Sequence, residues 1–223
     1  VQQPIASLVG EDLGMFDVLL RMLDEKGQEV LPSVFMPAAE RNDLMKNIDR
    51  WVIGAAMSFC TARKPGALFV RLSQESLSDS TLPAWLDNQI KTTRAEPARI
   101  VFQVREEAAS PLIKDAVALH QALHKRGFRF AIEGFGLGRD TEQLLGHLKP
   151  DFVKIHGALM QGLSGDQDKQ ARVKAMVELA RRCKAITIGE RVQDANTMAV
   201  LWQLGVEFIQ GYFVNAPEEV VLG

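Results

Sequence analysis

The feature that most restricts the fold of this sequence is a regular alternation of short apolar segments with longer amphipathic ones. Runs rich in Val, Ile and Phe predict β-strands at residues 15–23, 68–72, 100–104, 130–132, 152–155, 185–188 and 208–209. Helical patterns lie between them, at residues 38–62, 82–93, 111–126, 141–148, 170–183 and 194–205. Repeated βα units predict a parallel sheet covered by helices, and about seven of them favour a closed (β/α)8 TIM-like barrel of the α/β class.

Residue types at the helix ends support several of these borders. Ser110 is predicted to be an N-cap, with Pro111 in the first helical position and Gly127 just past the C-terminus. Asp194 is predicted to cap the last helix. The glycine-rich turn at residues 134–138 lies mid-chain and lacks the Lys-Ser/Thr of a phosphate-binding loop, so no nucleotide-binding motif of that kind is predicted.

Length and charge limit the domain organisation and the class of partner. The 223 residues suit one barrel domain over residues 1–223, and the start at Val1 without Met suggests excision from a larger multidomain protein. A net charge of -2 provides no field for a nucleic acid polymer, and no apolar run predicts membrane insertion. Two isolated cysteines, Cys60 and Cys183, are predicted to be free thiols, which indicates a cytoplasmic location.

Polar side chains close each predicted strand, and in barrels of this kind the functional face lies at the carboxyl ends of the strands. These residues are Arg21, Arg71, Gln103, Glu106, Glu133, Lys154, His156, Glu190 and Gln210. The mixture of cations and amides with few carboxylates is a poor cage for Mg²⁺ or Ca²⁺. It suits a ligand that carries phosphate, because Arg and Lys pair with phosphate oxygens.

The order and spacing of these residues resemble the EAL family of cyclic di-GMP phosphodiesterases over nearly the whole chain. Residues 16–21 read Phe-Asp-Val-Leu-Leu-Arg where the family has Glu-Ala-Leu-Leu-Arg, and residues 133–138 read Glu-Gly-Phe-Gly-Leu-Gly where it has Asp-Asp-Phe-Gly-Thr-Gly. Further similar segments lie at residues 35–40, 48–52, 153–155, 189–190 and 210–213, followed by Pro217. The fold that this resemblance implies is the same barrel.

The departures from the family pattern concern its metal site. EAL enzymes hold two divalent metals that activate water, and the resemblance places the following residues at the ligand positions: Asp17, Arg71, Gln103, Glu133, Gly134 and His156. This set is short of anionic ligands, and Arg71 would repel a cation. The resemblance therefore implies a degenerate phosphodiesterase with no catalytic residues and no metal or other cofactor.

Binding of cyclic di-GMP demands less than its hydrolysis. By the resemblance, Leu19 and Arg21 contact the ligand, with Arg21 on a phosphate, Phe213 stacks on guanine, and Glu190 and Gln210 form hydrogen bonds nearby. Separately from the resemblance, we expect Arg71 to replace the charge of a metal by facing the phosphates directly. The full set of expected ligand-binding residues is Asp17, Leu19, Arg21, Arg71, Glu133, Phe135, Lys154, Glu190, Gln210, Phe213 and Pro217.

Several of these residues have a second interpretation. Phe135 is either a stacking surface or a core residue, and Lys154 is the partner of either a phosphate or a carboxylate. His156 is expected to form a hydrogen bond within the barrel mouth. His120 and His124 stand four residues apart on one helix, but no third metal ligand is evident, so a helix face is favoured over a metal pair.

The resemblance is strongest to degenerate EAL domains of the FimX type. It implies an inactive receptor that relays cyclic di-GMP occupancy to a PilZ-domain adaptor protein and controls type IV pili and twitching motility. Two alternatives stay open: an active metal-dependent cyclic di-GMP phosphodiesterase, and an interaction scaffold that binds no nucleotide.

Overall fold

Eight of the ten strands close into a barrel in the computed structural model, which describes residues 1–219. In chain order the strands are β1 Gln2–Ser7, β2 Met15–Val18, β3 Met22–Leu23, β4 Glu29–Val30, β5 Ala67–Arg71, β6 Ile100–Arg105, β7 Arg129–Phe135, β8 Phe152–Ile155, β9 Ile186–Gly189 and β10 Phe208–Ile209. The order around the barrel is β1-β10-β9-β8-β7-β6-β5-β2, and β3 and β4 form a separate hairpin. The predicted α/β barrel is confirmed.

Helices connect the parallel strands. They are α1 Pro32–Arg41, α2 Met45–Arg63, α3 Gln74–Leu77, α4 Leu82–Thr93, α5 Glu106–Ala109, α6 Ile113–His124, α7 Thr141–Leu148, α8 Gln167–Arg182 and α9 Ala195–Gln203. The single helix predicted at residues 38–62 is wrong, because α1 and α2 are separated by a turn. There the Asn42 side chain donates to the Ala38 carbonyl at 2.7 Å, and Asp43 adopts a left-handed backbone with φ of 54°.

Two of the helix ends test the capping predictions. The Asp194 carboxylate accepts the Thr197 amide at 2.7 Å, which confirms it as the N-cap of α9. The prediction for Ser110 is wrong, since residues 110–112 form a 3-10 turn and α6 begins at Ile113 with no side-chain cap.

The strand that closes the barrel, β1, is the element that the sequence pattern missed. It pairs antiparallel with β2 through Gln3 and Asp17, and antiparallel with β10 through Ala6 and Ile209. All other neighbouring pairs in the barrel are parallel. Its sequence, QQPIAS, contains one β-branched residue and a proline, so it lacks the usual strand signal.

The barrel interior begins with an apolar layer. It consists of Ile5, Met15, Ala67, Phe69, Val101, Ala131, Phe152, Ile188 and Phe208. The rings of Phe69 and Phe152 meet edge to face with centroids 5.0 Å apart. A second apolar cluster fills the space between the outer side of the barrel and the helices.

Two predictions from composition can be compared with the structure. Cys60 and Cys183 are free thiols, as predicted. Within residues 1–219, no helix combines the length and apolar character that crossing a membrane requires.

If β1 closes the barrel, its one inward apolar side chain must contribute to stability. Ile5 is 2 % exposed, so Ile5→Ala is expected to lower the free energy of unfolding by about 2–5 kcal/mol through lost burial and the cavity left behind. Urea denaturation measures this change. Val9→Ala, at a site 65 % exposed just after β1, is the control and should change it by less than about 0.5 kcal/mol. Equal effects of the two substitutions would contradict a closing role for β1.

Candidate functional site

A polar layer lies directly above the apolar layer, at the carboxyl ends of the parallel strands. Side chains on a strand alternate between its two faces, so the residue two positions after an inward apolar residue also points inward. The inward apolar residues are thus followed by polar ones in seven strands: Asp17, Arg71, Gln103, Glu133, Lys154, Glu190 and Gln210. Because β1 runs the opposite way, its contribution is Gln3, two positions before Ile5.

At the centre of this layer, Asp17 and Lys154 form a buried ion pair. The Lys154 Nζ donates to Asp17 Oδ2 at 2.9 Å, and the Nε2 of Gln210 donates to the same oxygen at 2.8 Å. Asp17 Oδ1 accepts from Gln103 Nε2 at 2.7 Å. Gln210 extends the network to β1 by donating to Gln3 Oε1 at 3.0 Å. The carboxylate of Asp17 and the side chain of Gln210 together therefore connect five strands.

The surroundings of Asp17 keep its carboxylate charged. Burial alone would raise the pKa of Asp17, but the positive charges of Lys154 and Arg71 and the hydrogen bonds hold it below its usual value. The Lys154 ammonium also lies 4.6 Å from the centroid of the Phe69 ring. Lys154 has no exposed surface and Asp17 is 2 % exposed. The structure thus gives Lys154 a carboxylate partner. Both Asp17 and Lys154 were predicted to contact a ligand, but both side chains are buried.

A second ion pair joins β5 to β7. Arg71 donates through Nη2 to Glu133 Oε2 at 2.7 Å and through Nε to Oε1 of the same carboxylate. Arg105 approaches Glu133 Oε1 from the rim with its Nε at 3.8 Å. Although burial opposes the charge of Arg71, the contact with Glu133 raises the pKa of the guanidinium. Glu133 is buried, whereas 38 % of the Arg71 side chain remains exposed to the mouth.

Among the three carboxylates of the polar layer, Glu190 has the fewest contacts that stabilise its negative charge. It follows β9, and its Oε1 accepts only a long contact from the Gly134 amide at 3.4 Å. Burial and then the negative charge of Glu133 raise its pKa from 4.5 to about 7, while Lys154 opposes this shift. Glu190 therefore changes its charge near neutral pH.

The glycine-rich turn after β7 is fixed from two sides. Glu106 Oε2 accepts the amides of Gly136 and Gly138 at 2.9 and 3.1 Å, and Arg172 donates to the Gly136 carbonyl at 3.1 Å. Phe135, at the end of β7, has no exposed surface and packs in the cluster between barrel and helices. Its ring offers no face to a ligand, so the core alternative holds and the stacking prediction does not.

The remaining predicted residues lie on loops around the mouth. Leu19 is partly buried, and its backbone exchanges hydrogen bonds with Val1. Arg21 is tied to Glu29 of β4 by an Nε–Oε1 contact of 2.7 Å. Phe213 follows β10 and is 41 % exposed, and Pro217 is partly buried. These loops place the aromatic face of Phe213 at the edge of the polar layer, together with Arg21, whose charge is paired with Glu29.

The residues at the family's metal positions do not fit a pair of divalent ions. Asp17 and Glu133 are each paired with a basic side chain, and the positive charge of Arg71 acts on both carboxylates. His156 accepts the Ala158 amide through Nδ1 at 2.9 Å, so this hydrogen bond within the mouth is as predicted. In the part of the chain that the structure describes, no group of three His, Cys, Asp or Glu side chains could hold a metal ion.

The same finding applies to the histidine pair on α6. His120 and His124 have ring centroids 6.0 Å apart without a third ligand among residues 1–219, and His120 packs against Phe130 at 5.0 Å. The helix-face interpretation therefore holds.

Two residues at the mouth end of the barrel were absent from the predicted set. Gln3 was missed because β1 carries no strand signal, although its amide completes the hydrogen bonds of Gln210. Arg191 follows Glu190 directly at the end of β9, and it lies on the exposed rim. The rule that strand ends carry the site would have included Arg191 if it had been extended by one residue.

Removal of Lys154 should show how strongly the buried Asp17 carboxylate destabilises the fold when it has no cation beside it. Lys154→Met keeps the volume but leaves Asp17 charged and buried without a cation, so the free energy of unfolding should fall by about 3–5 kcal/mol. Chemical denaturation at pH 7 measures it. Lys174→Met, at an exposed site on α8, is the matched control and should have little effect. A Lys154→Met domain as stable as the parent would show that the pair is not a structural requirement.

Glu190 predicts a pH dependence of stability. Because its folded pKa lies above the usual value of 4.5, stability is full below about pH 4.5 and declines as the pH rises to about 7. The decline should approach roughly 1.4 kcal/mol per pH unit within that window. Glu190→Gln should remove this contribution and be more stable than the parent at pH 8. Parallel stability curves for the two proteins between pH 4.5 and 8 would refute the assignment.

Comparison with known proteins places this barrel among characterised domains. The family model described as EAL domain matches residues 1–217. The crystal structure of the FimX EAL domain from Pseudomonas aeruginosa bound to c-di-GMP superposes with a TM-score of 0.93 at 35 % identity, covering 98 % of this chain and 90 % of that one. The Xanthomonas citri FimX EAL domain in complex with c-diGMP gives a TM-score of 0.91 at 26 % identity, with 98 % and 87 % covered.

A curated relative is the cyclic di-GMP phosphodiesterase PdeF of Escherichia coli (strain K12). It is 27 % identical over 223 residues, which cover 98 % of this chain and 30 % of PdeF. The chain spans a similarly small part of the probable cyclic di-GMP phosphodiesterase PdeA from the same organism, at 26 % identity and 30 % of its length. The match over residues 1–217, together with the barrel and its polar layer, shows that the chain belongs to the EAL-domain family.

Proposed function

We propose that this domain is a receptor for cyclic di-GMP that does not hydrolyse it. The observation that carries the proposal is the pairing of two carboxylates of the polar layer, Asp17 and Glu133, with basic side chains of the chain itself. Asp17 is bound by Lys154, and Glu133 is held in two-point contact by Arg71. The positive charge that a metal would bring to these carboxylates is supplied by the protein.

The physical reason is competition for the same oxygen atoms. A divalent ion needs several oxygen ligands close together, and here it would have to break two ion pairs and displace Arg71. Gln103 and Gly134, at two further ligand positions, contribute no anionic charge. Without a metal no hydroxide forms near neutral pH, so phosphodiester hydrolysis is expected to be negligible.

Nucleotide binding can rely on groups that need no metal. The exposed ring of Phe213 offers a stacking face for guanine, with Leu19 and Pro217 at the rim. Arg21 and the exposed part of Arg71 offer guanidinium groups to the phosphates. The proposal gains support from the two FimX EAL domains, which are similar in fold and contain the nucleotide in their crystal structures.

We extend the proposal to the signalling role of the receptor. We propose a cytoplasmic protein that regulates type IV pili and twitching motility, the role that the resemblance of the sequence to FimX-type domains implies. The FimX EAL domain from Pseudomonas aeruginosa, at 35 % identity, supports the resemblance. In that role, occupancy of the barrel mouth is relayed to a PilZ-domain adaptor protein. A pull-down of that adaptor with and without the nucleotide tests this part of the proposal separately.

The second candidate function is hydrolysis by an unusual metal set. The names of the curated relatives favour it, since PdeF and PdeA are described as a phosphodiesterase and a probable one. A scaffold that binds no nucleotide is the third candidate. The exposure of Phe213 beside a polar mouth argues against the scaffold.

Calorimetry with cyclic di-GMP in EDTA separates the three candidates. The receptor proposal predicts saturable binding without metal, and no linear pGpG after incubation with Mg²⁺ or Mn²⁺. Phe213→Ala should weaken binding by about tenfold to a hundredfold through lost stacking. Tyr212→Ala removes the neighbouring ring, which is 70 % exposed, and should leave the affinity unchanged. Turnover to pGpG would identify an enzyme, and a flat titration alongside retained partner binding would identify a scaffold.

A further inference from the structure

The backbone of Arg191 adopts an unusual conformation at the rim of the mouth. Among residues 1–219, six residues other than glycine have positive φ. Five of them stand one or two positions after the last residue of a helix, where a left-handed residue ends the helix: Asp43, Lys64, Arg94, Lys149 and Lys184. Arg191, with φ of 53°, follows strand β9 instead. A left-handed arginine is strained relative to glycine at this position, and strain retained outside helix ends concentrates at functional sites.

Neighbouring strands hold Arg191 in place. A Cβ on Gly157 would lie 2.6, 2.8 and 2.9 Å from the Cδ, Cγ and Cβ of Arg191, so the aliphatic stem lies flat on that glycine after β8. Gly211, after β10, leaves room for the backbone of residues 191–192 in the same way. The amide of Val192 donates to the Gln210 carbonyl at 3.0 Å, and Phe213 donates to the Val192 carbonyl at 3.1 Å. The ends of β8, β9 and β10 thus fix the position of the Arg191 backbone.

Among residues 1–219, the charge of Arg191 has no counterion. The other basic side chains at the strand ends each contact a carboxylate: Arg21 with Glu29, Arg71 with Glu133, Arg105 with Glu107, and Lys154 with Asp17. Arg191 is exposed, and it makes no ion pair or side-chain hydrogen bond with any residue between 1 and 219. Arg191 is therefore a basic group at the mouth whose charge no carboxylate among residues 1–219 offsets, and this charge is available to an anion.

We propose that the Arg191 guanidinium binds a phosphate of the cyclic dinucleotide. The inference rests on the proposed receptor function and adds to it the cation that compensates the ligand's charge. A guanidinium can donate two parallel hydrogen bonds to phosphate oxygens, a geometry that a lysine cannot reproduce. The backbone contact between Val192 and Phe213 places the backbone of Arg191 next to the loop that carries the aromatic stacking face, so both residues belong to the same part of the mouth.

Replacement by glycine tests the proposal, because glycine accepts the left-handed backbone and removes only the side chain. Arg191→Gly should weaken the binding of cyclic di-GMP in EDTA by about tenfold to a hundredfold, as for the loss of a charge-assisted hydrogen bond. Its affinity should also depend less steeply on NaCl concentration than that of the parent. The thermal midpoint should stay within about two degrees of the parent's or rise. Glycine relieves the strain of the left-handed backbone, and this gain offsets the greater backbone freedom of the unfolded chain.

Two controls separate this role from a structural one. Arg94→Gly changes an exposed arginine with the same left-handed backbone at the end of α4, and it should keep the parent's affinity. Arg191→Gln keeps most of the stem without the charge and should show the same loss as Arg191→Gly, even if the glycine variant folds poorly. Arg191→Lys should fall between the parent and these variants, because it keeps the charge but not the paired donors.

The outcomes distinguish the inference from the function on which it rests. A parent that binds the nucleotide while Arg191→Gly and Arg191→Gln match its affinity and salt dependence would overturn the role of Arg191 alone. A parent that does not bind cyclic di-GMP would overturn the receptor function, and the inference with it.

Discussion

The ion pair between Asp17 and Lys154 is the contact on which the rest of the barrel mouth depends. Removing both charges from water is costly, and a buried pair is tolerated only where geometry is good and the remaining hydrogen bonds are made. Gln103 and Gln210 make those bonds, and Gln3 satisfies Gln210 in turn. The network spans β1, β2, β6, β8 and β10. It therefore couples closure of the barrel by its antiparallel strand to the chemistry at the centre of the mouth.

Charge compensation within the protein gives this mouth a different character from a metal centre. The ion pairs formed by Asp17 and by Glu133 leave the inner layer close to neutral. Because the pKa of Glu190 is about 7, this carboxyl is only partly ionised near neutral pH and adds little negative charge to the layer. What remains available to a ligand lies on the rim. It includes the aromatic face of Phe213 and the guanidinium of Arg191, and the exposed part of the Arg71 side chain adds a second guanidinium at the mouth. Such a division suits recognition of an anionic, planar ligand better than activation of water.

Much of the fold and part of the site could be predicted from local patterns. The alternation of apolar segments located seven of the eight barrel strands, and residues at their ends identified Arg71, Glu133 and Lys154, whereas Asp17 was identified by the family resemblance. These inferences succeed because strand periodicity and the common direction of parallel strands fix which side chains converge. β1 was not predicted, because a short antiparallel strand rich in glutamine is stabilised by its two neighbours rather than by its own composition.

The sequence by itself determined the order of βα units, the family to which the chain belongs, and the types of residue that face the mouth. Only the tertiary structure decided which of them pair. Lys154 lies 137 residues from Asp17 along the chain and could have met a phosphate or a carboxylate; packing brings its Nζ within 2.9 Å of the carboxylate. Packing likewise buries Phe135 and leaves Arg191 without a counterion among the described residues. Partner choice depends on distances of a few ångströms between distant segments, and composition and periodicity do not encode those distances.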